Sequence, residues 1–290
     1  MGANVWKSSA GRVRLNDWYD HFRDKIDVST ESIFVDTRHG PSHVLIAGPE
    51  DAPPLVCLHA MRTGSSFLLS ELGPVLDRYR VLAPDLPGQS IRGPEVRFSL
   101  NDDSLALWLV EMMDALGLEH VNLFGVSWGG FLARLMATTA PDRVRRLMLM
   151  VPAGIANGSH LTGLMKMAVP MMRYRIRPTK DNLKKLLSPI LTTWDDGWAE
   201  SIAGTIRDMK IDVRIPPLAS DEALCKLAMP TLVLAADQDI SFPGHLIERR
   251  LSKVSPNIEI EIMQDCKHCP PTTTEFRIWL GDRLSRFIEA

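Results

Sequence analysis

The 290-residue sequence predicts an α/β protein with a mostly parallel eight-stranded sheet and helices on both faces. Short apolar, β-branched runs alternate with longer helical patterns along most of the chain. Most of these runs are nearly continuous in apolar character, as strands covered on both faces are. Residues 154–221 interrupt the alternation and contain no convincing strand-like run, so they indicate a helical insertion into one core.

The strands begin with a predicted hairpin. Segments 32–36 and 43–47 are separated by the turn-forming residues Gly40, Pro41 and Ser42, which favour an antiparallel pair. The run at 258–263, the last along the chain, alternates apolar and polar residues, which is typical of a strand at a sheet edge. The six later strands are predicted at 54–60, 80–85, 120–127, 145–153, 231–237 and 258–263.

The clearest helix follows Ser99–Asp102, a pattern like a capping box, and its apolar residues recur at helical spacing until Gly117. Further helices are predicted at 131–140, 245–254 and 273–288. These elements divide the chain into an N-terminal helical extension, an α/β core in two pieces and a helical cap: 1–31, then 32–153 with 222–290, and 154–221.

The composition is that of a globular protein, with 45% hydrophobic and 23% charged residues and a net charge of −2. No global basic field is available for nucleic acid or an anionic membrane, so neither is an expected partner. No apolar window is long enough for a membrane span, and residues 1–15 lack the apolar core of a secretory signal. Four cysteines in a chain of this length do not form a disulfide framework, and we expect a reducing, cytoplasmic location.

Residues 123–130, LFGVSWGG, place Ser127 between Gly125 and Gly129 where a predicted strand meets a predicted helix. A serine at a sharp strand-to-helix turn needs small residues two positions to either side, because strand and helix pack closely around it. Serine becomes an effective nucleophile when a base accepts its proton and a carboxylate orients that base. The pentad alone also fits a tight turn with an inert serine, so the partners decide between the two interpretations.

Candidates for both partners follow later strands. Asp237 and Asp239 come at the end of the strand predicted at 231–237, and His268 lies in the loop after the last strand. Reacting groups in open parallel sheets collect beyond the carboxyl ends of the strands. The sequence therefore predicts that Ser127, an aspartate and His268 meet at one edge. The other histidines considered, His120 and His245, fall at the start of a strand and inside a helix.

With Ser, Asp and His in this order, the chain from about residue 32 onward resembles the α/β-hydrolase fold superfamily, in its capped, esterase-like branch. The resemblance implies that Ser127 is the nucleophile and His268 the base. It favours Asp239 as the acid, because the family's acid ends a small-x-x-Asp pattern followed shortly by proline, here Pro243. Asp237 remains the alternative acid. The loop before His268 lacks the glycines that are usual in the family.

The resemblance also implies an oxyanion hole formed by the backbone N–H groups of Met61 and Trp128. Met61 follows Ala60, where the family usually has glycine. Arg62, next in this loop, either contacts a substrate carboxylate or forms a salt bridge on the surface, and the surface salt bridge is the favoured interpretation. Asp85 and Gly88, in a turn that resembles another motif of the family, are expected to be structural.

Three further groups of residues have two interpretations each. Cys266 and Cys269 flank His268 and are expected to be reduced thiols rather than a redox clip; a metal site is not expected, because the second cysteine or histidine pair is missing. Arg173, Arg175 and Arg177 favour a solvated face over an anion site. Large side chains of the insertion form either an adaptable wall or ordinary core: Met165, Met167, Met171, Met172, Trp194, Trp198 and Met209.

The resemblance implies a serine hydrolase that cleaves small carboxylic esters through an acyl-enzyme on Ser127, without a cofactor. C–C bond hydrolysis, other acyl transfer or lyase chemistry would use the same triad and stays an alternative. A non-catalytic ligand-binding module is the third. Epoxide hydrolysis and dehalogenation are disfavoured, because relatives with those activities carry a carboxylate at the position of Ser127. The oligomeric state stays open.

Overall fold

The structure is a computed structural model that describes residues 5–210, 212, 214–254 and 258–290. At its centre is one eight-stranded sheet, in the order β1-β2-β4-β3-β5-β6-β7-β8. The strands are β1 Thr30–Thr37, β2 Gly40–Ala47, β3 Pro54–Leu58, β4 Arg80–Pro84, β5 Val121–Val126, β6 Val144–Met150, β7 Thr231–Ala236 and β8 Glu259–Met263. All eight lie within or next to the predicted runs, so the predicted sheet is confirmed.

Only the pairs that involve β2 are antiparallel. Strand β2 pairs antiparallel with β1 and with β4, and every other neighbouring pair is parallel. Strand β7 is buried along its whole length, whereas β8 lies at the edge and is partly exposed, as its alternating sequence predicted. The parallel strands therefore end together at one edge, from which the loops after β3, β5, β7 and β8 emerge.

Twelve α-helices are present among the described residues: α1 Ser9–Arg23, α2 Ser65–Leu69, α3 Gly73–Leu76, α4 Ser104–Ala115, α5 Trp128–Thr139, α6 His160–Gly163, α7 Val169–Ile176, α8 Lys180–Leu187, α9 Asp196–Asp208, α10 Asp221–Cys225, α11 Gly244–Val254 and α12 Thr274–Glu289. A 3₁₀ turn spans Pro141–Arg143, and a π-helical turn at Leu164–Ala168 joins α6 to α7. No helix in the described part of the chain is both long and apolar enough to cross a bilayer.

The capping box predicted at Ser99–Asp102 is not formed, although α4 begins directly after this stretch. The helix begins at Ser104, and the residue before it makes no capping bond with its side chain. Ser99 instead accepts a hydrogen bond from the Asn101 backbone, and Asp102 accepts two from Ser104. Short polar side chains that bond to nearby backbone groups stabilise turns as well as helix starts. The residues of the predicted capping box therefore stabilise the turn before the helix. The end is as predicted, because Gly117 has a positive φ of 69°.

Apolar side chains fill both sides of the sheet. Helices α4, α5 and α11 cover one face, where Trp108, Phe131 and Ile247 are buried. Helices α3 and α12 cover the other, with Leu76 and Leu284 buried. A packed core on each face fixes where the strand ends lie, and so where their loops begin.

Among its described residues, the chain between β6 and β7 contains helices and no strand of the sheet, and it has a small apolar core of its own. Leu186, Ala199 and Ile206, from α8 and α9, are buried there. Helix α1 packs against α9 and α2, with Leu15 and Tyr19 buried beside Met209. The division into extension, core and cap stays a prediction, and residues 1–4 of the extension lie outside the described residues.

Candidate active site

Ser127 lies between the end of β5 and the start of α5. Its φ is 53°, in the left-handed region that residues other than glycine rarely occupy. Gly125 and Gly129, two positions to either side, are required because backbone atoms lie close to both of them. A Cβ on Gly129 would lie 2.2 Å from the carbonyl oxygen of Leu58, and one on Gly125 would lie 2.5 Å from that of Gly129. The predicted serine turn is thus built by glycines that no larger residue could replace without movement.

His268 bridges Ser127 and Asp239. Its Nε2 lies 2.9 Å from the Ser127 Oγ, and its Nδ1 lies 2.7 Å from Asp239 Oδ2. The other oxygen of Asp239 accepts hydrogen bonds from the backbone N–H groups of Ser241 and Phe242, at 2.7 and 3.0 Å. Because an ionised carboxylate can only accept a hydrogen bond, the proton of the neutral ring lies on Nδ1 and is donated to Asp239. Nε2 is then free to accept the serine proton. The three residues predicted from separate strand ends therefore lie in one hydrogen-bonded chain.

The charges of this chain of residues support each other. Burial lowers the pKa of His268, but the charge of Asp239 and its hydrogen bond act in the opposite direction, and the net pKa is raised above its usual 6.5. Burial raises the pKa of Asp239, and His268 together with two backbone N–H groups outweighs it, so that the net pKa is lowered. Asp239 is therefore ionised at neutral pH, and it stabilises a proton on His268.

Asp237, the alternative acid, is not in contact with the histidine ring. Its Oδ1 accepts a hydrogen bond from the backbone N–H of Cys266, at 2.9 Å. This contact ties the end of β7 to the histidine loop, the loop between β8 and α12 that carries His268. Of the two aspartates, only Asp239 bonds to His268.

The histidine loop keeps its shape without glycine. Asp265 adopts a φ of 51°, a conformation that aspartate tolerates better than most residues. The loop is then held by segment 188–193 of the insertion. The hydroxyl of Thr192 accepts from the Lys267 backbone N–H at 2.9 Å and donates to the Cys269 carbonyl at 2.7 Å, while the Cys269 N–H donates to Ile190. No sequence pattern indicated this connection to Thr192.

The loop after β3 carries Met61 to the wall of the cavity. Met61 and Trp128 line the same cavity as Ser127 and His268. Ala60 does not have a positive φ; the residue in this loop that does is Arg62, at 57°. Its N–H donates to the Gln89 carbonyl at 2.6 Å, which fixes the turn. Alanine in place of the usual glycine therefore brings no backbone penalty here.

Arg62 lines the cavity, so the favoured interpretation of a surface salt bridge is wrong. Its guanidinium donates to the Met61 sulfur at 3.5 Å, and no carboxylate of the described residues forms an ion pair with it. Burial lowers its pKa, and the charge of Asp212 raises it by less. Asp212 is already bound by Arg214, at 2.7 Å, and by Gln89. Arg62 thus brings an unpaired positive charge to the cavity wall.

The cavity has a volume of about 640 Å³ and is mostly apolar. Of the large insertion residues, Met167, Met171 and Trp198 line it. The others do not: Met165, Met172 and Trp194 are exposed, and Met209 is buried beside Trp6. Lining residues that the sequence did not single out include Phe67, Asn157, Ile202, Asp212 and Phe242. They come from five separate stretches of chain and share no pattern that the sequence could have indicated.

The architecture has close matches among known proteins. Residues 53–189 match the family model of the alpha/beta hydrolase fold. The crystal structure of naproxen esterase (carboxylesterase NP) from Bacillus subtilis aligns with a TM-score of 0.83 at 24% identity, covering 97% of this chain and 99% of that one. The chain therefore has the fold of the alpha/beta hydrolases.

Two curated relatives match over most of their length. The uncharacterized carboxylesterase nap of Bacillus subtilis (strain 168) is 26% identical over 299 residues, which cover 99% of this chain and 96% of the relative. The 2-hydroxy-6-oxononadienedioate/2-hydroxy-6-oxononatrienedioate hydrolase 2 of Pseudomonas putida is 29% identical over 76% of this chain and 82% of its own.

The cysteines beside His268 are unpaired. Cys266 and Cys269 are free thiols, as are Cys57 and Cys225. Burial is the largest cause that raises the pKa of Cys266 to about 11 and that of Cys269 to about 12. Thiols with such pKa values stay protonated at neutral pH and react slowly.

Proposed function

We propose that the protein is a serine hydrolase that cleaves carboxylic esters through an acyl-enzyme on Ser127. This proposal rests on the two hydrogen bonds that join Ser127 Oγ to His268 and His268 to Asp239 at the wall of an apolar cavity. The carboxylesterase nap, which aligns with nearly the whole chain, supports it. No cofactor is needed for this chemistry.

The proposed reaction begins with attack of the Ser127 oxygen on the ester carbonyl carbon, while His268 Nε2 takes the serine proton. The carbonyl π electrons move to oxygen, and the N–H groups of Met61 and Trp128 hold the resulting oxyanion. The carbon–alkoxide bond then breaks, and His268 returns its proton to the departing alcohol. Water attacks the acyl-enzyme with His268 again as the base, which releases the acid and restores Ser127. Asp239 keeps its negative charge throughout.

We propose that Arg62 contacts an anionic part of the substrate, because it lines the cavity and no carboxylate of the described residues forms an ion pair with it. Two p-nitrophenyl esters of equal acyl length test this, one neutral and one ending in a free carboxylate. Arg62→Met should lower kcat/KM for the charged ester about ten- to a hundredfold more than for the neutral one, since a charge-assisted contact contributes about 1.5–3 kcal/mol. Arg62→Lys should restore part of the preference. Equal losses on both esters would leave Arg62 a structural residue.

The remaining assignments are proposals on the same footing. Residues 154–221 act as a helical cap over the α/β core, because Met167, Met171 and Trp198 from this stretch line the cavity. Four unpaired thiols suit a reducing, cytoplasmic compartment.

Labelling with a fluorophosphonate and hydrolysis of short p-nitrophenyl esters test the proposed function together. Wild-type protein should be labelled on Ser127, and Ser127→Ala should abolish both labelling and hydrolysis. His268→Ala should reduce both by several orders of magnitude. His245→Ala is the matched control, because that histidine is exposed on α11. Folded wild-type protein that takes no label and hydrolyses no ester would contradict the proposal.

A dienone-acid substrate separates ester hydrolysis from the C–C bond alternative, which uses the same triad. The dienedioate hydrolase relative aligns with a smaller share of the chain than carboxylesterase nap does, so we expect kcat/KM to be higher for esters. A clear preference for the dienone-acid would reverse the order of the two.

A further inference from the structure

The stretch from His160 to Lys180 exposes an apolar stripe on the outer surface of the insertion. Its large side chains are 54–79% exposed and recur every three or four residues, with exposed Ala168 between them. The stripe consists of Leu161, Leu164, Met165, Ala168, Met172 and Ile176. Among the described residues twelve large apolar side chains are exposed, and five of them lie here. Single exposed apolar residues are ordinary, but a contiguous set marks an interaction surface.

Basic residues border the stripe, and acidic residues are missing from this stretch of sequence. Between residues 160 and 180 there is no aspartate or glutamate. The basic residues are Lys166, Arg173, Arg175, Arg177 and Lys180, all exposed. None of them forms an ion pair with a described carboxylate, since the ion pairs of the structure lie elsewhere. The surface is thus locally cationic although the chain as a whole carries a net charge of −2.

Beside the stripe lies an open depression of about 600 Å³. Three lysines line it, Lys166, Lys185 and Lys267, and no carboxylate does. The ammonium group of Lys267 donates to the Ser188 carbonyl at 2.8 Å. Such a site suits a phosphate-type anion, which accepts several hydrogen bonds and carries negative charge.

The adjacent face of the same helical stretch forms part of the catalytic cavity. Gly163, Met167 and Met171 line that cavity, and Leu164 both lines it and is 54% exposed. Whatever binds the stripe therefore lies directly beside the space that leads to Ser127.

We propose that this face, with its apolar stripe, basic border and lysine depression, docks onto an anionic lipid bilayer. The stripe would enter the boundary between head groups and acyl chains, as amphipathic helices with a basic border do. The arginines and lysines would lie at the level of the negative head groups, and the cytoplasmic leaflet supplies such groups. A second copy of the chain fits less well, because a two-fold contact would bring this cationic surface against itself.

Docking would give apolar esters a path from the bilayer into the cavity, and that consequence rests on the proposed function. The docking itself does not, so the binding assay uses Ser127→Ala protein beside wild type. Both should bind vesicles that contain phosphatidylglycerol and bind poorly to vesicles of phosphatidylcholine alone. Binding should weaken as salt is raised, because the Debye length shrinks.

Two variants test which residues bind. Arg173→Gln/Arg175→Gln/Arg177→Gln should weaken binding to phosphatidylglycerol vesicles on the order of a hundredfold, since each basic residue at such a surface contributes about 1 kcal/mol. Met172→Glu/Ile176→Glu should abolish it. Neither variant changes a cavity-lining residue, so hydrolysis of a water-soluble ester should stay within about twofold of wild type. A variant that loses this hydrolysis but still binds vesicles as wild type does would contradict the docking proposal, because the changed residues would then serve the catalytic site and not the bilayer.

The matched controls change exposed residues elsewhere. Val13→Glu/Ile278→Glu alters two exposed apolar positions outside the stripe, and the second control alters three exposed basic residues to glutamine: Arg145, Arg249 and Lys253. Both should bind as wild type does. Wild type that ignores phosphatidylglycerol vesicles at low salt, or controls that lose as much binding as the test variants, would overturn the proposal. So would sedimentation that shows a dimer which Met172→Glu/Ile176→Glu dissociates, because the stripe would then bind another copy.

Discussion

The turn that carries Ser127 and the loop that carries His268 place Ser127 Oγ 2.9 Å from His268 Nε2. Different contacts hold the turn and the loop in place. The serine turn is fixed within the α/β core, by two glycines whose neighbours leave no room for a side chain. The histidine loop is fixed from a distance, by Thr192 and Ile190 of the insertion. One half of the site is thus a property of the core, and the other half depends on where the insertion lies.

The largest effect is expected at the link that orients His268. Asp239→Asn should lower kcat about 10⁴-fold, because an amide can favour the wrong tautomer of the histidine. Asp237→Asn is the matched control and should retain most activity, since an amide oxygen can still accept from the Cys266 N–H. Kinetics on a p-nitrophenyl ester measures both. Equal losses in the two variants would reopen the choice of acid.

Gly129→Ala should break the serine turn. The new Cβ would meet the Leu58 carbonyl oxygen at 2.2 Å, and relief of that clash should cost about 3 kcal/mol of unfolding free energy or more. We expect activity to fall at least a hundredfold. Gly163→Ala, in α6, has no neighbour within 4 Å and should leave the unfolding free energy nearly unchanged. Urea denaturation of the two variants makes the comparison, and similar midpoints would argue against local steric control of the turn.

The pH dependence of activity probes the His268–Asp239 pair. Because the pKa of His268 is raised, the acid limb of kcat/KM should lie above pH 6.5, with about tenfold loss per pH unit below that limb. The same shift stabilises the folded protein below the unfolded pKa of about 6.5, and this contribution is lost as pH rises through the folded pKa. Activity should therefore rise over the range in which this contribution to stability falls. An acid limb clearly below pH 6.5 would contradict the pairing.

Thr192→Val should loosen the histidine loop and leave the serine turn intact. The Lys267 N–H would lose its acceptor, which costs about 1–3 kcal/mol, and we expect kcat/KM to fall roughly tenfold. Thr138→Val is the control, because that hydroxyl donates only to a helix carbonyl in α5. If the Thr192 variant matches the control in activity and stability, the insertion does not position His268.

The smallest effect is expected from the thiols beside His268. Cys266→Ala/Cys269→Ala and addition of a strong reductant should each change ester hydrolysis by less than about twofold, because protonated thiols contribute no charge or disulfide. A marked increase or loss of activity with reductant would indicate a redox link in the histidine loop.

The same contrast explains what the sequence could predict. The strands and the serine turn follow from neighbouring residues, such as the buried run of β7 and the glycines around Ser127. The meeting of Ser127, Asp239 and His268 was predictable because parallel strands end together at one edge of the sheet. The contact of Thr192 with Lys267 joins residues 75 positions apart and depends on how the insertion packs. The place of Arg62 in the cavity likewise depends on neighbours, such as Asp212, that no local pattern specifies.

The hydrogen bonds from segment 188–193 to the histidine loop have a practical consequence for engineering. Replacing the insertion by that of a relative, in order to change substrate range, would also remove the acceptor for the Lys267 N–H and the partners of Cys269. A chimera should therefore keep these six residues from the parent chain, or take the donor's histidine loop along with its insertion. In such a chimera, the lining of the cavity and the position of His268 would change together.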